Sequence, residues 1–187
     1  MTVRTSLHAR GQPSYDRVVT NRAQLDALDE VARRFGVEGV QYWLFGGWAV
    51  DFHAGAVTRP HDDLDIAIWL RDLTIVGRLL LQDGWTHEPA GAQEGSTLFT
   101  RRGVRLELAF LQRDDGHAPY TPLSEGGRAG WASGAFGDDV RTLEDVSARV
   151  IGLTALYEEK SGPRADPAAA EKDRRDRATL EGLPRMT

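Results

Sequence analysis

The stretch HDDLDIAI, His61 to Ile68, sets carboxylates against aliphatic side chains almost one for one. Along a strand, successive side chains point to opposite faces, so Asp63, Asp65, Ala67 and Trp69 share one face and Leu64, Ile66, Ile68 and Leu70 the other. The aliphatic face takes the core. Two carboxylates held this close on a rigid strand repel, and a cation between them relieves the repulsion. VRLELAF, Val104 to Phe110, repeats the pattern, with Arg105, Glu107 and Ala109 opposite Leu106, Leu108 and Phe110. If the two strands are neighbours, Glu107 joins Asp63 and Asp65. Three carboxylates on one sheet surface make a site for one or two magnesium ions against a phosphate. Taken alone, an acidic pair on the wet face of a strand is an ordinary feature.

A second signal lies upstream. VQYWLF, Val40 to Phe45, reads as a strand, and Gly46-Gly47 breaks it before a short helix from Trp48 to Ala54 that Gly55 terminates. Two glycines at the start of a helix are either a tight turn or a place where bare backbone N–H groups meet phosphate at a positive helix end. Followed by the carboxylate pair, they favour a nucleotide site.

The rest of the chain supplies the scaffold. TNRAQLDALDEVARRFG predicts an amphipathic helix, with Asn21 as N-cap, Gln24 three residues on, and Leu25, Leu28, Ala32 and Phe35 at helical spacing. Asp63 to Leu70 is a strand, DLTIVGRLLLQDG a helix ending near Gly84, and a short strand surrounds Trp85. STLFTRRGVRLELAFL reads as a hairpin turning at Arg102-Gly103. Asp114 to Asp139 is mostly loop, and two helices close the chain: Leu143 to Lys160, introduced by Thr142, and Pro167 to Leu180. The expected organisation is a loose arm over residues 1–19, a core over 20–140 and a helical C-terminal segment over 141–187. The fold class is α/β (α+β), a mixed β-sheet packed against helices.

Composition narrows the chemistry. The chain contains no cysteine, so a metal must be held by oxygen or imidazole, which favours magnesium. A net charge of -5 argues against a nucleic-acid backbone as partner and suits a cationic small molecule. No apolar run approaches the roughly 20 residues that span a bilayer, and the N-terminus lacks a secretory stretch. A soluble, cytoplasmic protein is expected, of unspecified oligomeric state.

LFGGWAVDFHAG followed by TRPHDDLDIAI resembles the aminoglycoside and lincosamide nucleotidyltransferases, small members of the DNA polymerase beta-like nucleotidyltransferase superfamily. The aminoglycoside 2''-adenylyltransferase group is the nearest likeness. The match is strongest from Trp43 to Ile68, where GGW, the following Asp and Gly, and the H-x-D-h-D string occur in order, and it extends weakly through LELAF and EKDRRDRATL. The resemblance implies that Asp63 and Asp65 bind magnesium and that Glu107 completes the metal site or acts as base. Close relatives often carry Asp where Glu107 stands, so the arm is longer here. It further implies ATP as co-substrate over Gly46 and Gly47, an antibiotic hydroxyl as acceptor, and pyrophosphate as product.

Other residues carry two readings each. Arg59 contacts phosphate or is plain surface. Lys172 resembles a phosphate-facing lysine of the family, or belongs to a solvated helical face. His61 braces the aspartates or does nothing, Asp51 bonds backbone, and Trp48 is core. Trp85, Trp131 and Phe136 line an acceptor pocket or are buried. Glu88, Asp114 and Asp115 are candidates for attracting ammonium groups. The same chemistry on a protein or tRNA acceptor, and a non-catalytic nucleotide or drug binder, are the competing functions.

Overall fold

The computed structural model describes residues 19–183. The arm expected over residues 1–19 therefore lies, Val19 excepted, outside the described residues. The chain runs α1 (Asn21–Val37), β1 (Tyr42–Phe45), α2 (Gly46–Ala54), β2 (Leu64–Trp69), α3 (Leu73–Gln82), β3 (Thr86–His87), β4 (Ser96–Arg101) and β5 (Val104–Leu111). Beyond these come β6 (Tyr120–Pro122), β7 (Arg128–Gly130), β8 (Val140–Leu143), β9 (Val146–Arg149), α4 (Leu153–Ser161) and α5 (Pro167–Glu181).

A five-stranded mixed sheet in the order β1-β2-β5-β4-β3 is the centre of the fold. The β2–β5 pair is parallel, and the other pairs are antiparallel. In that parallel register Asp65 stands beside Glu107. The hairpin of β4 and β5 turns where expected, with Arg102 and Gly103 both at positive φ (51° and 86°). Leu64, Ile66, Ile68, Leu106 and Leu108 are fully buried on one sheet face, and Leu28, Phe35, Trp48, Val76 and Leu80 from α1, α2 and α3 complete that core. The aliphatic half of each alternating strand thus anchors the sheet, and the acidic half is left facing out.

Several boundaries differ from expectation for identifiable reasons. Thr20, not Asn21, caps α1, its Oγ1 accepting from Ala23 N–H. Asn21 instead donates to the Arg59 carbonyl and accepts from His61 N–H, while Gln24 donates to the His61 carbonyl and accepts from Trp48 Nε1. Both side chains are thus committed to the segment 59–61. Gly46 and Gly47 form the first turn of α2 rather than preceding it. Asp63 lies one residue before β2.

The helix expected from Leu143 onward begins only at Leu153. Residues 140–149 form the β8–β9 hairpin, with Glu144 at φ 53° in its turn and Thr142 bonded across the strands to Ser147. Leu143, Val146, Ala148 and Val150 are buried. Beyond the turn, burial alternates along Val146, Ala148 and Val150, a period of two that overrides the helix-like composition. Val150 bridges to Leu44, so this hairpin leads back to the sheet edge. α4 and α5 then pack on each other and on α2.

Candidate active site

Asp63, Asp65 and Glu107 each bring a carboxylate oxygen to within 4.8 Å of the others, as the alternation of the two strands predicts. They open into a cleft of about 680 Å³ whose walls come from the start of α2, the loop 93–96, Trp131, and the facing sides of α4 and α5. Burial, then repulsion from Asp63 and Glu159, holds the Asp65 carboxyl well above the usual carboxylate range. Burial and Asp62 raise Asp63 as well. Three oxygen donors pressed together against their own repulsion fit a hard divalent cation such as magnesium.

The two glycines have separate steric reasons. A Cβ on Gly46, which sits at φ 67°, would overlap the Asp65 carboxylate. A Cβ on Gly47 would collide with the Arg59 guanidinium and come within 2.7 Å of His61 Nδ1. The glycines therefore let the end of β1 and the first turn of α2 close on the acidic strand. The Gly46 N–H donates to Glu159 Oε2 at 3.3 Å, so a carboxylate of α4 already occupies the amide at the helix start.

Arg59 and Lys172 both line the cleft and both hold carboxylate partners. Arg59 makes a two-pronged pair with Asp176 of α5, Nε to Oδ1 at 2.8 Å and Nη2 to Oδ2 at 2.9 Å. Lys172 is paired with Asp62 across the cleft mouth. His61 does not brace the metal-facing aspartates. Its Nδ1 faces an Arg59 Nη1 donor at 3.1 Å and must accept, so Nε2 carries the proton and donates to Asp51 Oδ2 at 2.6 Å. Asp51 is fully buried and also accepts from Thr58 Oγ1 at 2.5 Å, bonding side chains rather than the backbone anticipated for it. The chain Asp51–His61–Arg59–Asp176 ties α2, the entry to β2 and α5 together. Trp48 is core, its ring 4.2 Å from that of His61 and tilted 30° to it.

Trp131 lies in the cleft wall, and Phe136 packs against it at 5.2 Å. Trp85 does not belong to the cleft: it is buried beneath Arg101. Glu88, Asp114 and Asp115 also lie elsewhere. Glu88 accepts from Thr100, and Asp114 pairs with Arg128 at another depression shared with Asp115.

Sequence reasoning passed over the most charged wall of the cleft. Lys160 is almost wholly buried among Glu159 at 3.2 Å, Asp173 at 3.3 Å and Asp176 at 3.4 Å. Burial acts to lower its pKa, but these three carboxylates outweigh it and the net shift is upward. Arg164 adds a bond to Asp173 at 2.5 Å. Ser96 and Glu94 also face the cleft. One signal was available for the first of these: EEK followed by EKDRRD places lysines among acids on two successive helices.

Comparisons with known proteins bear on the family and the fold. The sequence model for aminoglycoside-2''-adenylyltransferase matches residues 27–180. A 2''-aminoglycoside nucleotidyltransferase of Klebsiella pneumoniae is 35% identical over 43 residues, which span 23% of this chain and 24% of that relative. The chain is therefore aligned to only about a quarter of that curated protein. Among solved structures, the lincosamide antibiotic adenylyltransferase LnuA with lincomycin bound superposes with a TM-score of 0.68 at 22% identity, covering 90% of this chain and all of that one (100%). ANT(2'')-Ia in complex with adenylyl-2''-tobramycin gives 0.65 at 17% identity, covering 85% and 90%. These likenesses show a shared nucleotidyltransferase fold. With the family model spanning most of the sequence, the chain belongs to the aminoglycoside-2''-adenylyltransferase family.

Proposed function

We propose that the protein transfers AMP from ATP to a hydroxyl group of an aminoglycoside or lincosamide-like antibiotic and releases pyrophosphate. The observation that carries this reading is the convergence of Asp63, Asp65 and Glu107 beside the glycine-opened start of α2. In our division, residues 20–140 supply these groups and α4 and α5 of the segment 141–187 the wall that closes over the nucleotide.

Asp63, Asp65 and Glu107 would hold magnesium, which when bound neutralises triphosphate charge. The amides of Gly46 and Gly47 receive phosphate oxygens at the start of α2, and Arg59 and Lys172 add positive charge at the rim. The acceptor oxygen attacks the α-phosphorus as its proton passes to Glu107. The new P–O bond forms while the bond to pyrophosphate breaks, and the proton leaves Glu107 for solvent. Positioning and charge balance account for most of the catalysis in transfers of this kind.

Family membership supports the acceptor class, as do relatives bearing tobramycin and lincomycin. Glu94 and Glu158, outside the carboxylate triad, also line the cleft and suit ammonium groups better than a nucleic-acid backbone. A cytoplasmic location, where ATP is supplied, goes with this reading. The test incubates the protein with magnesium, ATP and a panel of aminoglycosides and lincosamides, following pyrophosphate release and product mass. An adenylylated drug made by the wild type and absent with Asp65→Asn is the expected result. No product from any member, in a protein that still binds ATP, would remove the antibiotic assignment and favour a macromolecular acceptor or a binder.

A further inference from the structure

We propose that Ser96 is a positioning residue for the carboxylate of Glu107, an inference that rests on Glu107 being the proton acceptor. In the β4–β5 register Ser96 pairs with Ala109, so it shares the acidic face of the sheet and lies diagonally from Glu107. Its Oγ is 2.6 Å from Glu107 Oε1 and 2.8 Å from the Gln93 carbonyl. Among the described residues, no other hydrogen bond reaches the Glu107 carboxylate. The Asp65 carboxylate lies close against Gly46, whereas the longer Glu107 side chain, with one more rotatable bond, takes its hydrogen bond from Ser96.

The hydroxyl carries one hydrogen and two acceptor positions. Facing an ionised Glu107, Ser96 donates to Oε1. One short side chain therefore holds the Glu107 carboxylate in place, while the Gln93 carbonyl keeps the Ser96 N–H that it accepts at 3.2 Å. The anchoring is specific to a hydroxyl at the first residue of β4. Ser96 lies between the active cleft and a second groove along α3, which leaves room for an added methyl.

The experiment compares wild type, Ser96→Ala, Ser96→Thr and Glu107→Gln with magnesium, ATP and either tobramycin or lincomycin, measuring kcat, both KM values, ATP affinity by calorimetry, and melting temperature. Expected for Ser96→Ala is a fall in kcat of about tenfold with KM and ATP affinity within about twofold, since the group acts on the reacting geometry rather than on binding. Ser96→Thr should recover kcat to within about threefold of wild type. Wild-type kcat in Ser96→Ala beside an inactive Glu107→Gln overturns the role of Ser96 alone. Equal losses in the Ala and Thr variants overturn it too, because the hydroxyl is then not what matters. Full turnover in Glu107→Gln, or none in the wild type with either drug, overturns the assignment of Glu107 and this inference with it.

Discussion

Glu159 Oε2 accepts the Gly46 N–H at 3.3 Å, and so stands where the proposed function puts a phosphate oxygen of the nucleotide. Its other oxygen is 3.2 Å from Lys160. The carboxylate thus masks an amide and engages a cation, both of which favour triphosphate. Glu159→Gln removes the negative charge and keeps the shape. ATP should then bind about three- to tenfold more tightly, the difference between a charged and a neutral acceptor on one amide. Calorimetric titration with magnesium-ATP checks this, and an unchanged affinity would mean that the phosphates do not use the Gly46 amide.

Gly46 tests the steric half of the same contact. An alanine there must move the Asp65 carboxylate and adopt a left-handed backbone, which costs a non-glycine residue about 1–3 kcal/mol at a constrained site. Gly46→Ala should fold with a lowered melting temperature and lose on the order of a hundredfold in turnover, since displacement of a reacting group by about an ångström has that effect. Thermal unfolding with steady-state kinetics on one preparation reads both.

Asp65 carries a conflict between stability and function. Burial first, then Asp63 and Glu159, raises its folded-state pKa above the unfolded one, so ionisation costs stability as the pH rises through that interval, and the cost persists at neutral pH. In metal-free protein Asp65→Asn should therefore be the more stable form, by about 1–2 kcal/mol. Magnesium should stabilise the wild type and leave the variant unchanged. Urea unfolding with and without magnesium decides it. A destabilised Asn variant would show that repulsion is already relieved in the free protein.

Asp176 gives the opposite pH dependence. Burial pushes its pKa up, but the Arg59 fork and Lys160 outweigh burial and the net shift is downward. Its ionised form thus contributes stability above the unfolded value, and that contribution is lost as the pH falls through the lower folded value. With its side chain only 1% exposed, Asp176→Asn leaves two cations under-compensated and should cost about 3 kcal/mol at pH 7. The gap from wild type should begin to close only below about pH 4, the ordinary range of aspartate. Urea midpoints between pH 7 and pH 3 follow the gap.

The strands of the sheet were legible because each reads the same way locally and globally. Leu64, Ile66, Ile68 and Leu106, Leu108 are buried, and the carboxylates between them face the cleft, as a period of two requires. The hairpin turn at Arg102-Gly103 was equally local. Asn21 and Thr142 misled for one reason: each has cap-like chemistry, but its side chain is taken by a distant or cross-strand partner, His61 in one case and Ser147 in the other. Such competition is invisible until the partner is in place.

From the sequence alone came the three carboxylates, the paired glycines and the alternation that sends acids and aliphatics to opposite faces, because each depends on residues close together in the chain. Only the tertiary structure decided that β5 lies parallel beside β2, aligning Glu107 with Asp65 across a separation of 42 positions. It also decided that α4 and α5 fold back over the cleft, bringing Glu159 to Gly46, Asp176 to Arg59 and Lys172 to Asp62. Helical charges look the same on a solvated face and on a closing wall. What separates them is packing between elements more than a hundred residues apart, recorded in separations of 113, 117 and 110 positions for these pairs. No local pattern carries that information.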